Sequence, residues 1–332
     1  RILRNHWGIA TAALAGSLSI AIVGVWLLST TDWFRQVIHA RIVSSLEEIT
    51  GGKVELGDFS FSVASQSATI ENLLVRQKVT EDPLLTIQSL RLKFGLSSLL
   101  RRRLSLDSLE FVDPQLSIHT TEDGSLNLPN SSLIGDGNLL DLVVGHFKIT
   151  RGSIIWNGLR YDLSVSANNL DIQTRYEADT GRYWTNILTE ISVRNIDGSS
   201  SSSSQVQAQL YIYQDRIELI DSTVTFEESS LKTGGEIILG EKPPAELHYD
   251  AELSLNSSFA MAYMPGFSTG SVTLQGTLDW RGTRESLSYR GEIKAHDVNR
   301  LLGSTQVEFG SASSKYWGGS SIFNAAPIRI TA

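Results

Sequence analysis

The chain has 332 residues, an apolar fraction of 41%, a formal net charge of -8 and a pI near 5.3. An acidic balance with one short basic cluster, Arg101-Arg102-Arg103, argues against a nucleic-acid partner, because phosphate binding needs clustered Lys and Arg. The absence of cysteine excludes disulfides, thiolate metal sites and cysteine nucleophiles.

The first residue is Arg1 rather than Met, and the final PIRITA reads as a strand cut in mid-course, so the chain is expected to be part of a longer one. From Gly8 to Ser29 it reads GIATAALAGSLSIAIVGVWLLS, uncharged between Arg4 and Asp32. As a helix this run spans roughly 33 Å, against a hydrocarbon core of about 30 Å. Trp7, Trp26 and Trp33 stand near its ends, where indoles prefer the membrane interface. A secretory signal peptide usually has a shorter apolar region, so residues 1–31 are expected to be a retained transmembrane anchor. Arg1 and Arg4 precede the run, which places the N-terminus in the cytoplasm and the bulk of the chain on the far side.

Over residues 32–52, Phe34, Val37, Ile38, Ile42, Leu46 and Ile49 recur at helical spacing, and Gly51-Gly52 supplies a stop. This predicts an amphipathic helix. Its polar face carries Glu47 and Glu48 as well as Arg35 and Arg41, which favours a cap on the first sheet over a helix lying on anionic lipid.

Beyond Gly52, period-2 alternation recurs in runs such as VELGDFSFSV, LLTIQSLRLKF, VQAQLYIYQ, RIELIDSTVTF and GSVTLQGTLDW. About fourteen to eighteen strands of roughly five to eight residues are expected. LSSLLRRR, residues 96–103, is a candidate short helix. NSSLIGDGN, residues 130–138, separates an N-terminal β module over 53–130 from a repeating sheet over 139–332, and DGSSSSSS, residues 197–204, reads as a mobile hairpin loop. An outer-membrane barrel is disfavoured by short irregular strands behind an apolar helix, and a propeller by the lack of a blade repeat. Gly-punctuated phrases, GSIIWNG, GGEIILGE, GSVTLQG and RGEIKAHD, suggest growth by similar hairpins. The expected fold is mainly β: a transmembrane helix and an amphipathic helix, then an elongated, curved, mostly antiparallel β-sheet forming a groove.

RLSLDSLEFVDPQLSIHTTEDGSLNLP reads as two short strands, the second beginning at Pro114, which cannot donate to a ladder, and ending at an Asp123-Gly124 hairpin turn. The apolar run, the amphipathic stretch, KVELGDFSFSV, Ser98-Leu99-Leu100 with its basic residues, Pro114-Gln115-Leu116-Ser117-Ile118 and Asp123-Gly124-Ser125-Leu126-Asn127-Leu128, in that order over about 130 residues, resemble the N-terminus of AsmA-like proteins. GSVTLQGTLDWRGTRESLSYRGEIKAHDV is similar to the sheet repeats of the same superfamily, which includes TamB-like proteins. The resemblance implies a repeating β-groove, apolar on its concave side, anchored in a bacterial inner membrane and projecting into the periplasm. It further implies a role in carrying phospholipid between membranes or in assembling outer-envelope components. About sixteen strands at 4.8 Å each extend roughly 75 Å, which is short for bridging an envelope alone.

Catalytic signals are weak. GFSTG, residues 266–270, matches G-x-S-x-G, but Met264-Pro265 precedes it and a strand pattern follows, so Ser268 lacks the strand-turn-helix context of a nucleophile. Histidines 6, 39, 119, 146, 248 and 296 are scattered without ligand spacing, and no dinucleotide or phosphate loop is present. No enzyme activity, cofactor or metal is expected. Alternation nominates Val206, Leu210, Ile212, Leu274, Leu278, Trp280, Leu287 and Ile293 as the lining of a lipid groove; the same residues could instead form a sandwich core. A membrane lipid and membrane-protein partners are the expected partners. The alternative function is a non-catalytic accessory or scaffold subunit of a larger membrane complex, with Ala13, Gly16 and Ser17 as a helix-packing face.

Overall fold

Alternating sequence becomes β-strand along nearly all of the chain that the computed structural model describes. The described residues are 52–62, 65–77, 82–94, 105–120, 143–158, 163–195, 201–239, 244–257, 267–281, 283, 286–302 and 305–331, with Ala40, Val43, Ser44 and Glu47. They form a 17-stranded, mostly antiparallel open sheet. The chain divides into two compact units, residues 1–146 and 147–332.

In the first unit the strands are β1 (Lys53–Glu55), β2 (Phe59–Ser62), β3 (Ser67–Arg76), β4 (Pro83–Phe94) and β5 (Ser105–Thr120). β1 and β2 both pair with β3, which pairs with β4, which pairs with β5. Val54, Ile70, Leu73, Val75, Ile87 and Leu90 form its buried cluster, with Leu85, Leu92, Leu109 and Phe111 packed against it. The apolar phase slips by one residue in three strands at the same level. Ile70, Leu90 and Phe111 share one cross-strand row, while Leu73, Ile87 and Pro114 share the next apolar one, with two residues between rows in each strand. Asn72 and Asp113 absorb the slip with φ of 53° and 49°, a left-handed conformation that short polar side chains tolerate.

This corrects the reading of Pro114. It lies inside one 16-residue strand, opposite Ile87 and just after the left-handed Asp113, where the irregular ladder accommodates a residue without N–H. The Asp123-Gly124 turn, the 96–103 segment, the apolar run 8–29 and Trp7, Trp26 and Trp33 lie outside the described residues. The expected fold class is also corrected: the fold shown is the sheet, without the N-terminal helices, and no helix among the described residues is long and apolar enough to cross a membrane. What the described part of 32–52 contributes is contact with that sheet. Val43 packs on the buried cluster, and the Glu47 carboxylate accepts the Val54 N–H at 3.1 Å.

β6 (Val143–Gly158) contains the boundary between the units. The second unit continues with β7 (Leu163–Glu177), β8 (Arg182–Asn195), β9 (Ser201–Ile212), β10 (Arg216–Phe226), β11 (Ser229–Ile238) and β12 (Pro244–Ser254). It ends with β13 (Phe267–Arg281), β14 (Ser288–Leu302), β15 (Thr305–Gly319), β16 (Phe323–Ala325) and β17 (Arg329–Thr331). From β7 to β15 each strand pairs with the next, and β16 and β17 both pair with β15. Most of these strands have 10 to 16 residues, so the expectation of short strands is corrected. Polar residues lie inside these strands as bulges or left-handed positions, Asn169 in β7 and Asp297 in β14 among them. Ser201–Ser204 are likewise strand rather than loop, paired with Arg194, Val193, Ser192 and Ile191 of β8.

Candidate functional site

Directly paired residues of antiparallel strands point to the same face, so the registers of the second unit sort its side chains into rows. The first row is Tyr183, Ile212, Ile217, Ile237, Ala245 and Trp280. Two residues along runs Thr185, Leu210, Leu219, Gly235, Leu247, Leu278, Tyr289 and Gly318. The third is Ile187, Ala208, Ser222, Thr233, Tyr249, Gly276, Gly291 and Tyr316. The fourth is Thr189, Val206, Val224, Leu231, Ala251, Leu274, Ile293 and Ser314. None of these residues carries a charge.

A bulge keeps the face continuous across β10. In RIELIDSTVTF the apolar residues change parity between Leu219 and Val224, and the register against both neighbours shifts just after Leu219. Ile220 absorbs the extra step and stands 44% exposed, while Ser222, Val224 and Phe226 rejoin the apolar side. Gly235 opposite has φ of 137°, which a side chain would strain.

The sheet brings seven of the eight nominated lining residues onto this one face: Ile212 and Trp280 in the first row, Leu210 and Leu278 in the second, Val206, Leu274 and Ile293 in the fourth. Leu287 precedes β14 and is half-buried there. Among the seven only Leu210, at 8% exposure, is fully buried. Among the described residues the buried cluster of this unit is Leu255 with Val298, against which Val272 and Ala295 pack. On β16 and β17, which pair with β15, Phe323 and Ile330 lie on this face and are each 66% exposed.

The opposite face is polar. Glu218, Glu236, Glu246 and Asp279 fall in one cross-strand row, with Arg216 paired to Glu236 at 2.9 Å. Nearby, the Arg182 guanidinium lies 3.6 Å from the Tyr211 ring centre and donates to the Tyr213 hydroxyl at 3.0 Å and to Glu177 at 2.8 Å. Those two hydrogen bonds, Tyr213 first, push Arg182 further up, so it is a fixed cation.

Alternation did not identify the tyrosines. The Tyr249 ring lies over Gly276, Tyr316 over Gly291 and Tyr289 over Gly318; a Cβ on these glycines would meet the hydroxyl oxygens at 2.5, 2.6 and 2.6 Å. Tyr249 and Tyr316, on strands separated by two others, hydrogen-bond hydroxyl to hydroxyl across those glycines. The signal available in the sequence was glycine inside an alternating run, which marks close approach of another group. Ser268, the second residue of β13, is followed by strand as far as Arg281, not by a helix. No family model, curated protein or solved structure matches the chain.

Proposed function

We propose that the second unit uses its uncharged face to shield the acyl chains of a membrane lipid while the charged face stays in water. The observation that carries this reading is the run of four cross-strand rows, without a formal charge, on an open sheet. Each CH₂ removed from water contributes about 0.8 kcal/mol, so acyl chains need no polar site to be held. The ordered motifs that resemble AsmA-like proteins and the apolar run 8–29 support placement at a bacterial inner membrane, with the sheet on the periplasmic side and a role in phospholipid movement or envelope assembly.

The test is photo-crosslinking from a benzophenone amino acid placed in the full chain at Leu278, or at its neighbour Thr277 on the polar face. Leu278 is expected to give a phospholipid adduct and Thr277 none. Equal labelling at both positions, or none at either, would sink the reading. A non-catalytic scaffold subunit is the second reading, favoured by exposed Ile322, Phe323, Ile328 and Ile330 at the terminal edge. Crosslinking from Phe323 to one stoichiometric protein, with no lipid at Leu278, would put it first.

A further inference from the structure

We infer that the Tyr249–Tyr316 hydroxyl pair is a docking point for a neutral hydrogen-bond acceptor, the ester carbonyl of an acyl lipid lying on the apolar face; this rests on the acyl-shielding reading. Two hydroxyls bring two protons, and the bond between them uses one. Among the described residues no other acceptor takes the second. The neighbouring Tyr289 differs, since its hydroxyl donates to the Ile322 carbonyl at 3.1 Å. Packing does not require the hydroxyls: phenylalanine would cover Gly276 and Gly291 with the same rings and leave no polar group among apolar side chains, where Tyr316 is 5% exposed beneath Phe323 and Tyr249 is half-buried. The position is central, with Leu278 and Tyr289 in the row on one side and Leu274 and Ile293 in the row on the other. A carboxylate or phosphate at this point would be desolvated with no cation on this face among the described residues to meet it, whereas an ester carbonyl carries no charge and accepts from a phenol.

The test uses the full chain in a mild detergent, mixed with equimolar dihexadecanoyl phosphatidylcholine and its di-O-hexadecyl ether analogue, and native mass spectrometry of the adducts. The two probes share headgroup and chain length and differ in the ester carbonyls. The parent is expected to favour the ester roughly two- to tenfold, the range of one neutral hydrogen bond. Tyr249→Phe and Tyr316→Phe each leave one hydroxyl with a free proton, so each single variant is expected to keep the preference. The double variant is expected to lose it, by weaker ester binding with ether binding unchanged. Equal binding of ester and ether by the parent, or a preference surviving in the double variant, overturns the docking point and leaves acyl shielding standing. Failure to bind either probe overturns both. The parent comparison decides even if the double variant does not fold.

Discussion

At the scale of single residues, the tyrosines show how a strand-interior glycine acquires a function. Glycine weakens a strand by leaving nothing to pack, and a cross-strand aromatic ring restores that packing by lying flat on the bare backbone. A Cβ at Gly291 would meet both the Tyr316 ring and the Gln275 carbonyl oxygen. Gly291→Ala is therefore expected to destabilise the second unit by about 1–3 kcal/mol, the usual cost of overpacking, as read by denaturant unfolding. An unchanged midpoint would mean that the ring does not lie there. Burial, helped by the hydrogen bond with Tyr249, pushes the Tyr316 phenol above its ordinary value. A group raised in the folded state keeps its full stabilising contribution below its unfolded pKa, about 10, and loses it as pH rises beyond. Stability is thus expected to fall above about pH 10, and Tyr316→Phe to flatten that fall; an identical slope in the variant would exclude Tyr316 as its source.

At the scale of elements, left-handed residues and bulges do what turns were expected to do. A one-residue slip sends every later side chain to the other face, so a long strand whose apolar residues change parity needs a compensating irregularity. β10 meets this with Ile220, β7 with Asn169 beside Leu170, and β14 with Asp297 before the buried Val298. Deleting Ile220 leaves RIELDSTVTF, in which Ile217, Leu219, Ser222, Val224 and Phe226 alternate regularly, so the ladder is expected to close without a bulge, with Val224 and Phe226 still on the apolar face and hydrogen-exchange protection of β10 and β11 retained. Loss of that protection would show that the bulge itself is needed. The strands themselves were legible because alternation is a local property. Their lengths were not, since Asp113-Pro114 and Asp297 carry the composition of a turn while the ladder continues through them.

At the scale of the whole molecule, the two units use alternation differently. In the first, Ile87 is 2% exposed within a closed cluster, and Ile87→Ala is expected to cost about 2–5 kcal/mol. In the second, Leu278 is only half-buried, and Leu278→Ala is expected to cost less than half of that while reducing lipid crosslinking from neighbouring positions. Denaturation midpoints of the two variants check both. A Leu278 variant as unstable as the Ile87 variant would mean that this face is an ordinary core. By itself the sequence determined that the described chain is built largely of strands with one apolar side, that it lacks cysteine chemistry, and, within a single regular strand such as β9, which residues alternate together, because two-residue periodicity is written in neighbouring positions. Only the tertiary structure decided which of those residues share a row, that the slips in β3, β4 and β5 align, and that Tyr249 meets Tyr316 over two glycines. Register is a relation between strands far apart in sequence, set by hydrogen-bonded ladders and bulges that no single stretch of residues specifies.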